Sequence, residues 1–326
     1  MKVLLALGAV VIVLFFGSLL IGPAGLGLGE SLAALVSGQG GAVVLVMQEI
    51  RLPRALLGLM TGAALGLSGA AMQGYLRNPL AEPGLIGVSA SAALGAVLAL
   101  QTGLAGLFAL ALPLSALAGA GVAVLLILGL AGPRGGALAL ILAGVAISAL
   151  AAALTSLVLN LSPNPFAAME IVYWMMGSLA DRSMEHVWLA APFMALGMLV
   201  LLATARNLDA LTLGEDAAQS LGVDLNRLRL MVVLGTAAAV GASVAVAGAV
   251  GFVGLVIPHL LRPLVGGRPS LLLPASALGG AAMLLAADIA VRVIAPDQDL
   301  KLGVLTALVG APFFLHLIWR LRGVEA

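Results

Sequence analysis

Hydrophobic residues fill this chain in long runs that short polar segments separate. Ten runs, bounded by charged residues or by Pro and Gly turns, lie at 3–22, 52–74, 84–101, 104–130, 137–161, 187–205, 230–250, 252–265, 270–295 and 302–319. About 20 apolar residues in a helix are enough to cross the hydrocarbon core of a bilayer. The pattern therefore predicts an all-α polytopic membrane protein with ten transmembrane helices, in a single transmembrane domain over residues 1–326.

Two of the runs depart from this simple pattern. The eighth, between Gly251 and Pro263, is too short to span roughly 30 Å, so we expect a short or broken span shielded by neighbouring helices. The first run follows Lys2, as in a signal peptide, but it exceeds the apolar region of about 7–15 residues typical of those peptides. We interpret it as the first membrane span.

The basic residues predict the orientation of the chain. With a cytoplasmic N-terminus, ten basic residues fall at cytoplasmic ends of spans and five at outer ends, which satisfies the positive-inside rule. The outer residues are Arg51, Arg54, Arg182, Arg292 and Lys301; the cytoplasmic residues are Lys2, Arg77, Arg134, Arg206, Arg227, Arg229, Arg262, Arg268, Arg320 and Arg322. An even number of spans then places both termini in the cytoplasm.

An internal repeat relates the second span to the seventh. When Arg54–Ala70 is shifted by 175 positions onto Arg229–Ala245, 8 of 17 residues are identical, including an Arg, a Thr and a Ser. Two spans of opposite direction that share a sequence predict inverted-topology halves, spans 2–5 and spans 7–10. The second span also carries a stripe of Gly58, Gly62 and Gly66, which favours close helix packing; a moving gate is the alternative.

The composition excludes several classes of protein. Charged residues make up 9% of the chain, far below the roughly 25% of soluble domains, and the net charge of +1 argues against nucleic-acid binding. Cysteine is absent, so the chain has no thiolate metal site and no thiol nucleophile. Its two lysines, Lys2 and Lys301, do not follow glycine, so a phosphate-binding GxxxxGK[ST] loop is impossible. If ATP drives this protein, another subunit hydrolyses it.

The longest segment that a bilayer cannot hold lies at 210–229 and reads ALTLGEDAAQSLGVDLNRLR. It predicts two short helices separated by glycine. Glu215 and Asp216 would lie in a first helical turn, where carboxylates suit the helix dipole, and Gly222 would end the helix. In a chain with so little polar surface, we interpret this segment as a contact surface for another protein.

Three segments of the chain resemble the same family of proteins. They read RLPRALLGLMTGAALGLSGAAMQGYLRNPLAEPGLIGVSASAALG (51–95), LTLGEDAAQSLGV (211–223) and GAVGFVGLVIPHLLRPLVG (248–266). They resemble the FecCD-type permease subunits of bacterial importers for iron–siderophores, haem and vitamin B12. The similarity extends from Arg51 to about Leu317 and includes YWMMGSL (173–179) and GVLTALVGAPFF (303–314). In one place the chain departs from the family, because Asp299-Leu300-Lys301 replaces an acidic-x-Pro pattern before the last span.

The resemblance implies an assembly and a role. Such permeases have ten spans, pair as homodimers around a central pathway in the bacterial inner membrane, and bind two ATP-binding cassette ATPases on the cytoplasmic side. A periplasmic or lipid-anchored substrate-binding protein docks outside. The chain would then carry an iron–siderophore or related metal chelate, with cobalamin or haem as alternative cargo, no bond chemistry and no cofactor. A secondary transporter or channel that acts alone is the alternative from a different class.

The resemblance also implies roles for particular residues. The segment 207–229 would be the element that inserts into a groove on each ATPase; an ordinary amphipathic loop is the alternative. Its contact residues would be Leu213, Gly214, Glu215, Asp216, Ala217, Ala218, Leu221 and Gly222. The fifth span would line the pathway, or else bond to other helices, through Ser148, Thr155, Ser156 and Asn160.

On the outer side, the resemblance implies that Arg51, Arg54 and Arg292 receive carboxylates of the binding protein, since the planar guanidinium pairs bidentately with them. Anchoring of helix ends, or local pairing such as Arg292 with Asp288, is the alternative. We expect Asp288 to form a salt-bridged helix end and no second carboxylate to lie inside the membrane, which argues against a proton relay. The three histidines lie too far apart in sequence to predict a metal site.

Overall fold

A computed structural model describes residues 1–22, 25–37, 41–132, 136–295, 298 and 300–322. All regular secondary structure in these ranges is helical. The α-helices are α1 (Lys2–Leu20), α2 (Leu28–Ser37), α3 (Gly41–Leu45), α4 (Leu52–Leu76), α5 (Val88–Gln101), α6 (Ala111–Ala131), α7 (Ala137–Asn160), α8 (Pro165–Met175), α9 (Met184–Ala203), α10 (Ala205–Leu211), α11 (Glu215–Ser220), α12 (Leu225–Ala247), α13 (Val253–Leu261), α14 (Pro269–Ile294) and α15 (Leu302–Arg322). A π-helical turn at Val46–Arg51 joins α3 to α4, and a 3₁₀ turn at Pro83–Ile86 precedes α5.

Seven helical stretches in the described residues are long and apolar enough to cross a membrane, which confirms the prediction of an all-helical polytopic protein. They are Lys2–Leu20, Gly41–Leu76, Ala111–Ala131, Ala137–Asn160, Met184–Ala203, Leu225–Ala247 and Pro269–Ile294. The other three predicted runs contain α5, α13 and α15, whose described apolar stretches are shorter. Helices α2, α8, α10 and α11 lie outside the predicted runs.

The two helices related by the sequence repeat form the centre of the bundle. Of the most apolar window in Gly41–Leu76 and in Leu225–Ala247, 78% is buried, against 17–39% in the other five candidate spans. The other helices therefore surround α4 and α12. The helix–helix contacts occur in corresponding pairs. Helix α4 packs on α14 and α12 packs on α6; likewise, α5 packs on α6 and α13 packs on α14.

Helices α4 and α14 approach each other along the predicted glycine stripe. A Cβ atom on Gly62 would overlap the backbone of Gly280, and a Cβ atom on Gly66 would overlap the carbonyl of Ser276. The order of these contacts shows that the two helices are antiparallel. Side chains of α14 and of the loop after α8 lie over Gly58 instead. The stripe is a packing surface, in which glycine lets two backbones meet.

The eighth apolar run forms one short helix, as its length predicted. Helix α13 has nine residues, which gives it a length of about 14 Å. Gly248 (φ 70°) ends α12, and Phe252 (φ 68°) precedes α13. The chain thus breaks between α12 and α13 inside the bundle, where α4, α14 and α15 pack against α13.

Candidate functional site

The predicted contact segment folds as two short helices at one end of the bundle. Gly214, at φ 106°, separates α10 from α11, and Glu215 and Asp216 form the first turn of α11, as predicted. Gly222, at φ 87°, ends α11, because its N–H donates to Gln219 O (2.8 Å) and the Val223 N–H donates to Ala218 O (3.0 Å). This pair of bonds is a Schellman motif, so local chemistry alone defines this segment.

The segment turns apolar and acidic side chains outward together. Leu213 is 69% exposed and Leu221 65% exposed, next to exposed Glu215 and Asp216, while Ala218 is fully buried. Large apolar side chains beside charges, outside the membrane-spanning helices, are typical of a surface that another protein covers. Arg77 lies 3.8 Å from Glu215, but both side chains are about half exposed, so this ion pair contributes less than about 1 kcal/mol.

Helix α10 connects this surface to the centre of the bundle. The side chain of Leu208 is buried and lies 3.6 Å from the position that a Cβ of Gly74 on α4 would take. The Asp209 carboxylate accepts a hydrogen bond from the backbone N–H of Ser270 in the first turn of α14 (2.9 Å). The segment is therefore fastened to α4 and α14, the same two helices that meet along the glycine stripe.

At the other end of the bundle, the structure brings together the predicted arginines and Asp288. The Asp288 carboxylate is 1% exposed and pairs with Arg292 (2.9 Å), as predicted, but also with Arg54 (2.9 Å). Arg51 is 4% exposed and donates to the carbonyls at the end of α1. Internal partners thus bind all three arginines, and their role in docking stays a prediction.

The polar residues predicted on α7 do not share one face. Ser148 and Thr155 are seven residues apart and lie together, with Thr155 only 5% exposed. Ser156 and Asn160 lie on a second face, which is exposed and carries the small residues Ala149, Ala152 and Ala153 together with the larger Leu142 and Val145. The Ser156 hydroxyl donates to Ala152 O of its own helix (2.9 Å).

The loop between α8 and α9, residues 176–183, covers the C-terminal end of α12. The Ser178 N–H donates to Ala247 O (2.8 Å), and Arg182 Nε donates to Val246 O (2.6 Å). The last carbonyls of a helix have no partners within it, so this loop supplies them. Burial lowers the pKa of the Arg182 guanidinium, and neighbouring Asp181 opposes that shift.

Glu82 is a polar residue inside the bundle that the sequence patterns did not single out. Glu82 lines a cavity of about 140 Å³ together with Leu65, which is near the midpoint of the 25-residue α4. Its Oε1 accepts the Phe252 N–H at the start of α13 (3.0 Å). The sequence pattern places Glu82 in a loop between two predicted spans, but in the structure the chain re-enters the bundle there. The Pro and Gly residues of 79–87 were the available signal, since such interruptions are typical of re-entrant segments.

A buried cluster holds the opposite end of α13. Arg262 Nη2 donates to Gln73 Oε1 (2.7 Å), and the Gln73 amide lies 3.3 Å from Leu255 O. Glu82 and Gln73 thus both belong to the first half of the sequence and hold the broken helix of the second. In hydrocarbon, backbone groups freed by such a break need acceptors and donors from neighbouring segments.

Two histidines and Lys301 make local contacts of their own. The His186 imidazole contacts the Ser183 hydroxyl (3.0 Å), and His259 packs edge-on against Phe313. Within the described ranges, no three His, Asp or Glu side chains are placed to hold a metal ion. Lys301 lies 5.4 Å above the ring of Tyr173. Arg134 and Asp299, which entered the predictions above, lie outside the described residues.

Comparisons with known proteins agree with this architecture. The sequence profile of the FecCD transport family matches residues 10–320. The cobalamin import system permease protein BtuC of Halobacterium salinarum is 42% identical over 284 residues, 86% of this chain and 75% of that protein. The Fe(3+) dicitrate transport system permease protein FecD of Escherichia coli is 42% identical over 277 residues, 85% of this chain and 86% of that protein. A solved inward-facing structure of a metal-chelate type ABC transporter has a TM-score of 0.87 and 35% identity, and the match covers 98% of this chain and 99% of that one.

Proposed function

This chain belongs to the FecCD transport family, and on that premise we propose that two copies of it form the translocation pathway of an importer for iron–siderophore or related metal chelates. It is a permease subunit of an ABC importer and not an enzyme, because ATP hydrolysis belongs to a separate subunit of such importers. The proposal places it in the cytoplasmic membrane with both termini in the cytoplasm.

One observation supports the coupling role most strongly. The segment 207–229 exposes Leu213, Leu221 and two carboxylates, while Leu208 and Asp209 fasten it to α4 and α14. In this proposal the exposed surface fits a groove on each ATPase. When the ATPases bind nucleotide and close, they would move the segment, and α10 would transmit that displacement to the antiparallel helices α4 and α14.

Ten membrane segments follow in this proposal if α5, α13 and α15 join the seven long helices. When spans 2–5 are matched in order to spans 7–10, α4 corresponds to α12 and α6 corresponds to α14. The contact between α4 and α14 then corresponds to the contact between α12 and α6, which supports an inverted repeat. The same correspondence relates α5–α6 to α13–α14. One transmembrane domain built from two inverted halves would then change access around its centre.

The exposed face of α7 supports the homodimer and the pathway. It presents small side chains with Ser156 and Asn160, and small residues let helices of two subunits approach closely. The hydroxyl and amide give weak polar contacts along which a bulky chelate could pass. Lipid would otherwise meet two polar side chains on this face, which is unfavourable in hydrocarbon.

The cargo follows from the relatives only as a class. One relative is named for Fe(3+) dicitrate and others for vitamin B12, at similar identity to this chain. Both are large metal complexes with organic ligands. We therefore keep cobalamin or haem as the alternative cargo, and the binding protein outside the membrane would select among them.

A cysteine cross-linking experiment tests the pathway and the dimer. Because the chain has no cysteine, Ser156→Cys gives a single thiol on the exposed face of α7. We expect this variant to form a covalent dimer with a bismaleimide in membranes, and to react with a charged, membrane-impermeant maleimide. Gel mobility and mass spectrometry report the two reactions.

Leu5→Cys on α1 is the matched control, since Leu5 is 70% exposed and its neighbours on either side are apolar. It should form no dimer and react poorly with the charged reagent. Equal behaviour of the two variants would argue against α7 as the face that meets the second copy.

A further inference from the structure

A second loop of the chain lies beside the segment 207–229, at the same end of the bundle. This loop, residues 262–268, connects the short helix α13 to α14. A groove of about 500 Å³ lies between the loop and the segment. Its lining residues are Asp209 and Thr212 on the segment, and Gly266, Gly267, Arg268 and Pro269 at the end of the loop and the start of α14. The loop and the segment therefore form one continuous surface.

The loop and the segment each expose a leucine, and they carry opposite charges. Leu264 on the loop is 62% exposed, and Leu213 on the segment is 69% exposed. Arg268 is exposed on the loop, and Glu215 and Asp216 are exposed on the segment. Within the part of the chain that the structure describes, the Arg268 side chain forms no ion pair. Exposed leucines beside charges, outside the membrane-spanning helices, are typical of a surface that a partner protein covers.

Hydrogen bonds fix the backbone on both sides of the groove. Gly266 (φ 64°) and Gly267 (φ 71°) are both left-handed, and the Gly267 N–H donates to Arg262 O (3.0 Å). The Asp209 carboxylate accepts the Ser270 N–H (2.9 Å) and so joins the segment to the start of α14, directly after the loop. A surface that is already ordered loses little conformational entropy when a partner binds to it.

The loop leads to a different helix from the segment. The segment is fastened to α4 and α14 through Leu208 and Asp209, whereas the loop continues directly from the C-terminal end of α13. At that end, the Arg262 side chain also donates to Gln73 Oε1 of α4 (2.7 Å). A partner that displaced the loop would therefore act on the broken helix directly, without α10 as an intermediate.

We propose that the loop 262–268 is a second contact of the permease with its ATPase, in which Leu264 packs against the ATPase and Arg268 pairs with one of its carboxylates. This inference rests on the coupling role of the segment 207–229 proposed above. The ATPase then covers both sides of the groove, because the two surfaces are continuous. Its closure moves α13 through the loop, as well as α4 and α14 through the segment.

Charge reversal of Arg268 tests the ion pair. The affinity of the importer's own ATPase for the purified permease is measured in detergent by microscale thermophoresis, so that no bilayer contributes. We expect Arg268→Glu to raise the dissociation constant about tenfold or more at about 50 mM salt, and less at about 500 mM salt, where charges are screened. One Asp→Arg or Glu→Arg substitution on the ATPase surface should restore the affinity of this variant, because it recreates the pair with its charges exchanged.

Leu264→Ser tests the apolar part of the contact. We expect the dissociation constant to rise about threefold to tenfold, as for the loss of one packed side chain at an interface. Leu107→Ser is the matched control, since Leu107 is 74% exposed in the turn between α5 and α6, on the proposed outer side. It should bind the ATPase as the wild type does. Every variant changes an exposed side chain, so a monodisperse peak in size-exclusion chromatography verifies its fold.

Wild-type affinity of both Arg268→Glu and Leu264→Ser would overturn the second contact. Glu215→Arg with Asp216→Arg in the same assay shows which proposal has failed. If that double variant loses the ATPase, the segment couples without the loop; if it binds as the wild type does, the coupling role of the segment is itself wrong. Failure of every charge exchange on the ATPase would overturn the pairing of Arg268.

Anionic lipid headgroups are the other surface that an arginine beside a leucine can meet. ATP-driven uptake into liposomes with and without phosphatidylglycerol distinguishes this case. If the loop variants keep wild-type affinity in detergent but lose uptake only in liposomes that contain phosphatidylglycerol, the loop contacts lipid and the inference is overturned.

Discussion

Replacing Glu215 and Asp216 together by arginine should abolish recovery of the ATPase with the permease, while the permease still folds. Both carboxylates are exposed in the first turn of α11, and no packing in the bundle depends on them. The change replaces two negative charges by two positive ones on the proposed contact surface, a net change of +4, and places the cations at the unfavourable end of a helix dipole. Pull-down through a tag on the permease, followed by size-exclusion chromatography, measures assembly and folding in one experiment.

The matched control makes the same change of charge on the other side of the membrane. Glu30 on α2 and Glu170 on α8 are exposed carboxylates at the proposed outer face. Glu30→Arg with Glu170→Arg should retain the ATPase. If the Glu215 and Asp216 double variant recovered as much ATPase as the wild type, the segment 207–229 would not be the element that contacts the ATPase.

Gly66→Leu should abolish the folded permease altogether. A Cβ at this position would overlap the carbonyl of Ser276, so the larger side chain must push α4 away from α14. Backbone cannot yield as a flexible side chain can, so we expect a cost above the usual range of about 1–3 kcal/mol for overpacking. Fluorescence-detected size-exclusion chromatography of a tagged protein should show aggregate in place of the monodisperse peak.

Gly8→Leu provides the comparison for this substitution. Gly8 lies on α1, where an added Cβ would meet no atom within 4 Å. The same enlargement there should leave the elution profile and the unfolding temperature close to wild type. A stable, monodisperse Gly66→Leu protein would show that α4 and α14 do not need the backbone contact that the structure describes.

Local patterns in the sequence predicted the elements that local chemistry determines. The apolar runs located the membrane helices because a bilayer imposes length and hydrophobicity on each span separately. Helix α11 followed from its acidic first turn and from Gly214 and Gly222, which act within a few residues. The repeat between Arg54–Ala70 and Arg229–Ala245 involves the two helices that the structure buries most, but it carried no prediction about burial.

Contacts between residues far apart in the sequence could not be predicted from these local patterns. Arg54 and Asp288 pair across 234 positions, so the sequence could not show that the outer arginines bind inside the bundle. Glu82 and Phe252 meet across 170 positions, in a cavity that exists only once both halves have folded. Asp288 and Arg292, by contrast, are four residues apart on one helix, a spacing at which helix geometry predicts contact.

The central claim is that this chain moves cargo only when a separate ATPase acts on it. Uptake into proteoliposomes tests this directly, with ⁵⁵Fe-labelled ferric chelate and radiolabelled cobalamin as the two probes. The account predicts no uptake by the permease alone, with or without a proton gradient. It predicts uptake of one probe when the ATPase, ATP and the binding protein are all present. Accumulation by the permease alone under a proton gradient would contradict the account and establish a secondary transporter.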